Sequence, residues 1–343
     1  MACCGTCIGD RHLRNEVIPA HTTATGTCTY CGSQNEPLVE PDQLRDAFEL
    51  LVAIYVPAAG GRPLLTWLRD DWAMFDERAI STAQASKLLG EILADTEVLQ
   101  RTFVPSELCR TESLDRWQEF RRELMHANRF FPKTALDLQR LRGLLPYLSL
   151  NVDELPQQWY RARLQRAHEP HAADQMGAPP KDQAAHGRAN PAGIPYLYLA
   201  STETTAIAET RPHTGERATV ARFAVAPNLK LVDLRSPRRT VSPFILADVS
   251  QVAFLRGDVG YLEQLGEELT RPVLPHAAAI DYLPSQYLCE FVKNCDFDGV
   301  VYRSSVGDGV NLALFDPERA TIGARVQRSV ARVAVEIAEV APA

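Results

Sequence analysis

Residues 159–163 read Trp159-Tyr160-Arg161-Ala162-Arg163, residues 187–200 run from Gly187-Arg188-Ala189-Asn190-Pro191 to Tyr196-Leu197-Tyr198-Leu199-Ala200, and residues 298–305 read Asp298-Gly299-Val300-Val301-Tyr302-Arg303-Ser304-Ser305. Between the second and third lies Thr205-Ala206-Ile207-Ala208-Glu209-Thr210-Arg211-Pro212. Short strand-like runs lie at 159–164, 196–200, 219–226, 230–234, 299–303 and 311–315. Helical spacing predicts helices at 202–210, 242–255, 261–269 and 285–294. The order is too irregular for a doubly wound sheet, so the class is α+β. An Arg, a Glu and a Ser each stand at the edge of a predicted strand or helix.

Outward from this unit the pattern changes. Residues 165–190 carry no periodicity and read as a long surface loop, a length that usually signals function or mobility. Upstream, Leu44, Phe48, Leu51, Val52 and Tyr55 fall at helical spacing, and a second helix begins near Ser81 with Gln84 completing a capping box. A third runs from about 111 to 128 and a weaker one from 134 to 147. These divisions predict a Cys-rich leader at 1–36, a helical domain at 37–150, a catalytic domain at 151–320 and a tail at 321–343.

Five of the eight cysteines precede residue 32. Cys4-Gly-Thr-Cys7 and Cys28-Thr-Tyr-Cys31 are two C-x2-C pairs, and four thiolates in two tight turns make the closed tetrahedral set that zinc favours. Cys3 competes with Cys4 for the set, and His12 or His21 can contribute. A redox pair is the competing reading. Four sulfurs leave no open coordination position, so a structural Zn2+ is expected.

The net charge of -7 disfavours a chain whose task is to coat nucleic acid. The most apolar stretch, 50–59, is too short to span a bilayer and contains Pro57. Cysteines stand where a signal peptide would carry its basic and apolar regions, which predicts a cytoplasmic protein without a membrane.

The four quoted segments, followed by Asn311, resemble the RES-domain family, named for Arg, Glu and Ser. The resemblance covers most of the second half of the chain. It implies a mixed α/β fold like that of ADP-ribosyltransferases and a bacterial toxin, usually paired with an antitoxin. Such proteins degrade NAD by hydrolysis or phosphorolysis, or transfer its ADP-ribose to a protein target. The zinc-bound helical leader is similar to N-terminal extensions grouped with HEPN-like helical domains.

Breaking the nicotinamide–ribose bond generates an oxocarbenium-like sugar. The leaving group departs neutral, so the site needs negative charge near the sugar and a grip on the pyrophosphate. Glu209 is the choice for the first role, with Glu203, Asp281 and Glu290 as weaker candidates. Arg161 is the choice for the phosphates because a planar guanidinium matches their oxygens. Strand alternation puts Arg163 on the same face, so the two stay open, and Arg188 is within a turn of the same region. Tyr198 or Tyr196 stacks on nicotinamide. Ser304 or Ser305 orients the amide or a phosphate, and Asn311 is a further contact.

Two rival readings remain. Arg121 and His126, with Arg122 equally near, form the R-x4-H pattern of HEPN ribonucleases. A non-catalytic module that binds NAD or ADP-ribose would need the arginines but not the carboxylate. A classical oxidoreductase is disfavoured, because Val306-Gly307-Asp308-Gly309-Val310-Asn311 lacks the glycines and context of a dinucleotide fingerprint. The acceptor of the ADP-ribosyl group, any antitoxin and a homo-oligomeric state are left open.

Overall fold

The computed structural model describes residues 1–22, 24–150, 152–334 and 337. The chain divides into two compact units. The first holds Met1–Glu123, Phe131–Leu148 and Ser236–Gln264, and the second holds Leu124–Phe130, Ser149–Arg235 and the chain from Leu265 onward. The sequence boundaries at 37, 151 and 321 differ from this division, chiefly because Ser236–Gln264 belongs with the first unit.

In the first unit β1 (Ala24–Gly26) and β2 (Glu36–Leu38) pair antiparallel beside the cysteine cluster. The helix Arg45–Val52 ends before the expected Tyr55, which instead opens β3 (Tyr55–Pro63), paired with β4 (Thr102–Pro105). Tyr55 is drawn there by its hydroxyl, which donates to the buried Asp71 at 2.8 Å. Arg256 donates to the same carboxylate through Nε at 2.7 Å and Nη2 at 3.0 Å, so the buried charge is paired and hydrogen-bonded. The helix Leu64–Trp72 had no sequence expectation. The expected second helix is Thr82–Leu93, and the Ser81 hydroxyl accepts from the Gln84 backbone at 3.3 Å, as the capping pattern predicts. The third is Ser113–His126. The fourth is shorter than expected, Leu138–Leu144, because Asp137 caps it by accepting from the Arg140 backbone.

The two helices expected at 242–255 and 261–269 are one, Val249–Thr270. Gly257 is a packing residue there rather than a break: a Cβ on it would lie 2.5 Å from the Cys109 carbonyl oxygen.

The second unit is built on one eight-stranded sheet: β5 (Ser149–Leu150), β6 (Trp159–Leu164), β7 (Leu197–Ala200), β8 (Arg217–Val225), β9 (Leu231–Asp233), β10 (Gly299–Arg303), β11 (Val310–Leu314) and β12 (Ala320–Ser329), in spatial order β12-β8-β6-β7-β11-β10-β9-β5. Only the β9–β10 pair is parallel. All six expected strands are present. Residues 320–329, most of which were expected in a tail, form the edge strand β12 by pairing with β8. Most of the rest of that tail, from 335 except 337, lies outside the described residues.

The sheet's core face is packed by Trp159, Leu197, Leu199, Phe223, Leu231, Val301, Leu312 and Leu314, among others. Met176 is wholly buried in this core and Ala184 and Ala189 are buried. The segment 165–190 is therefore not purely a surface loop: its apolar residues anchor it to the sheet. The β6–β7 joint is the irregular one. These strands pair only at Tyr160 opposite Ala200 and diverge beyond it.

Trp159 is fully buried at the start of β6. Trp159→Ala is expected to cost about 3–5 kcal/mol, read as a lower urea midpoint for the second unit. A loss below about 1 kcal/mol would mean that the core collapses to fill the space.

Candidate active site

The gap where β6 and β7 diverge opens into a cavity of about 340 Å3, within the second unit. Its wall includes Tyr160, Arg161, Arg188, Tyr198, Glu209, Arg211, Tyr282, Tyr302, Ser305 and Asn311.

Arg161 bridges the gap: its Nη1 donates to the Tyr198 carbonyl at 3.0 Å, while its Nε is buried without a hydrogen-bond partner. A buried unpaired donor on a charged group is costly and calls for an acceptor that is absent from the protein itself. Burial, and then the neighbouring Arg163, push the Arg161 guanidinium down to about 10. An anion in the cavity would reverse that effect. Arg163 is not among the wall residues; it donates to the Gly177 carbonyl at 3.1 Å and holds the 165–190 segment. The ambiguity between the two arginines is thus resolved geometrically in favour of Arg161 as the cavity residue.

Glu209 follows the short helix Glu203–Ala208, which Thr202 caps by accepting from the Thr205 backbone at 3.0 Å. The Glu209 backbone still donates to the Thr205 carbonyl, so the side chain leaves from the helix end. Its Oε1 accepts from the Ser304 hydroxyl at 2.7 Å and from Asn311 Nδ2 at 2.5 Å. Ser304 and Asn311 come from the two flanks of one hairpin, where Arg303 pairs with Val310 and Tyr302 with Asn311. The hairpin tip lies against the helix: a Cβ on Gly309 would fall 2.2 Å from Thr205 Oγ1. Ser304 is therefore the serine that touches Glu209. Ser305 lines the cavity and accepts from Arg188 Nη2 at 3.4 Å.

Tyr198 contributes its ring and backbone rather than a free hydroxyl. The hydroxyl accepts from the Ala189 and Asn190 backbones at 2.9 and 3.1 Å and donates to Asn190 Oδ1 at 2.7 Å. Burial pushes it well above the ordinary tyrosine range. Tyr196 points into packing against Phe315, with ring centroids 4.8 Å apart, and does not line the cavity. Of the weaker acids, Glu203 pairs with Arg328 at 2.8 Å, and neither Asp281 nor Glu290 is on the wall. Tyr302 and Tyr282 are wall residues that sequence reasoning passed over, since nothing in a strand or helix pattern marks a ring that faces a cavity. Burial raises the Tyr302 hydroxyl, and Tyr198 and the Glu209 carboxylate push it the same way. Arg188 donates to the Arg271 carbonyl at 2.7 Å and lies 5.3 Å over the Tyr282 ring.

In the first unit the sulfurs of Cys4, Cys7, Cys28 and Cys31 lie within 4.8 Å of one another. The pairs Cys4–Cys7, Cys4–Cys31 and Cys7–Cys28 are 3.9, 3.5 and 3.2 Å apart. A tetrahedral ion with metal–sulfur bonds of about 2.3 Å separates its sulfurs by roughly 3.8 Å, so the set suits one ion. Cys3 is outside it, its backbone bridging Val39, and neither His12 nor His21 joins the group. Arg121, Arg122 and His126 all sit on the helix Ser113–His126, and none of them lines the cavity. No helix among the described residues is long and apolar enough to cross a membrane.

A family model described as RES domain matches residues 158–334, slightly more than half of the chain. No curated protein matches. Among solved structures, the chain is similar to one in the crystal structure of the M. tuberculosis MbcT-MbcA toxin-antitoxin complex, at 16% identity and a TM-score of 0.29, over 55% of this chain and 93% of that one.

Gly187 has no room for a side chain: an added Cβ would lie 2.2 Å from Asn190 Oδ1 and 2.5 Å from the Tyr198 hydroxyl. Gly187→Ala is expected to break the Tyr198–Asn190 lock and lower stability by about 1–3 kcal/mol, measured as a fall in Tm. An unchanged Tm would show that this lock does not hold the cavity wall.

Proposed function

The chain belongs to the RES domain family, and on that footing we propose that it cleaves the nicotinamide–ribose bond of NAD. The observation that carries this reading is the pairing, on one cavity wall, of an oriented carboxylate with a guanidinium that has a buried unpaired donor. The Arg161 guanidinium, which lines the cavity, faces a phosphoryl oxygen while its Nη1 stays on the Tyr198 carbonyl. Ser304 and Asn311 both occupy Oε1 of Glu209. They leave Oε2 free to accept from a ribose hydroxyl and to face the cationic sugar as it forms. Nicotinamide departs as a neutral base, so no wall residue has to protonate it. The rings of Tyr198, Tyr302 and Tyr282 supply apolar surface for the base. A module that only binds ADP-ribose needs the guanidiniums but gives the oriented carboxylate of Glu209 no task.

The ADP-ribosyl group then passes to water, phosphate or a protein. The family resemblance supports a toxin restrained by a cognate antitoxin. We also propose that the four-cysteine set holds a structural zinc ion, through Cys4, Cys7, Cys28 and Cys31. Bound there, zinc would crosslink the first residues of the chain to the Cys28–Cys31 turn and supply folding energy rather than chemistry.

Glu209→Gln is expected to lower the rate of nicotinamide release from NAD by about 100-fold or more, measured by chromatography of the purified proteins. Wild type that releases no nicotinamide would remove the proposal. Elemental analysis of purified protein should show about one zinc per chain, and Cys28→Ser should lose it and melt earlier. Metal-free wild type with an unchanged Tm would sink the zinc reading.

A further inference from the structure

Arg211 stands two residues after Glu209, on the same cavity wall, with a backbone φ of 50°. Left-handed backbone at a helix end is the place for glycine, since any side chain there crowds the following carbonyl. Pro212 restricts the residue before it further. Thr210 and Arg211 continue the helix end by donating backbone bonds to Ile207 and Ala208 at 3.0 and 2.9 Å, so the geometry is fixed by the turn. A glycine would form this turn with less strain, which means the arginine side chain is retained for something the turn does not need.

What the side chain does inside the protein is slight. One nitrogen, Nη2, donates to the Val273 carbonyl at 2.8 Å, and no carboxylate pairs with it. Arg188, by contrast, is held by the Arg271 carbonyl, the Ser305 hydroxyl and the Tyr282 ring. The wall thus carries three guanidiniums, Arg161, Arg188 and Arg211, against the single carboxylate of Glu209. A pyrophosphate would bring two negative charges and balance that excess. Arg211 has its remaining donors uncommitted and sits beside the residue assigned to the sugar.

We infer that Arg211 is a second phosphoryl-binding residue, which clasps the pyrophosphate of the dinucleotide together with Arg161 and fixes the sugar against Glu209. This rests on the NAD reading above. The Val273 carbonyl holds the guanidinium extended in the meantime, so one hydrogen bond is kept while the free donors meet the ligand.

The test uses purified full-length protein, wild type and the variants Arg211→Gly, Arg211→Asn and Arg211→Lys. Gly and Asn both accept left-handed backbone, so Tm should hold or rise. The KM for NAD should increase about tenfold or more while kcat changes far less, the signature of lost substrate binding. Inhibition by ADP-ribose should weaken by a similar factor, and inhibition by nicotinamide, which has no phosphate, should not change. Lys should recover part of the loss through its charge. Unchanged ADP-ribose inhibition in an active Gly variant would overturn the inference and leave the NAD reading intact. Equal weakening of both inhibitors, or a clear fall in Tm for both Gly and Asn, would overturn it by showing a structural role. Wild type that releases no nicotinamide would remove the NAD reading and this inference with it.

Discussion

The second unit depends on one imperfect joint. β6 and β7 touch through a single ladder position, Tyr160 opposite Ala200, and then separate. A fully zipped pair would bury the space between them and leave no cavity. The opening exposes backbone that has to be satisfied, and the Arg161 side chain does this by donating to the Tyr198 carbonyl. The same guanidinium thereby becomes part of the cavity wall. One guanidinium thus satisfies the freed backbone and lines the cavity at the same time, a double task that suits the fixed fork of an arginine better than a lysine.

Around this joint the supports are indirect but rigid. Tyr198 is locked to the Asn190 turn by three hydrogen bonds, and Gly187 lets that turn approach closely. Opposite, one hairpin supplies both donors to Glu209. Arg161, Arg188 and Glu209 are each held by hydrogen bonds to the surrounding chain, which keeps these charges preorganised. The first unit uses the same device for stability. Asp258 is almost wholly buried and accepts from the Thr111 hydroxyl at 3.0 Å and from Arg140 Nε at 2.6 Å, so both its oxygens are hydrogen-bonded and its charge is paired with Arg140.

Much of this was legible in the chain. Short apolar runs located all six expected strands of the sheet, of which β9, β10 and β11 are buried on both faces. The C-x2-C spacing brought out the cysteine cluster, since four sulfurs two by two have few other uses. What stayed hidden depends on long-range contacts. β12 is mostly exposed, and its alternating row of Ala320, Ile322, Ala324 and Val326 is half alanine, a weak signal that gains meaning only from the pairing with β8. β3 contains Pro57 and two glycines, a composition that argues for a loop until β4 is found beside it. The helices expected at 242–255 and 261–269 join as one because Gly257 packs against Cys109, a contact distant in sequence. Arg161 could not be told from Arg163 by alternation, since the two differ only in what the opened gap and the 165–190 segment offer them.

The hairpin between β10 and β11 has an evolutionary consequence. Ser304 and Asn311 meet Glu209 because strand pairing sets their heights, not because the tip between them has a particular length. Lineages can therefore lengthen or recolour residues 306–308 while the paired flanks stay in register, with Gly309 as the conservative point because Thr205 leaves it no room. A hairpin tip of this kind can in this way diversify its outward face at little cost to the cavity residues held by its flanks.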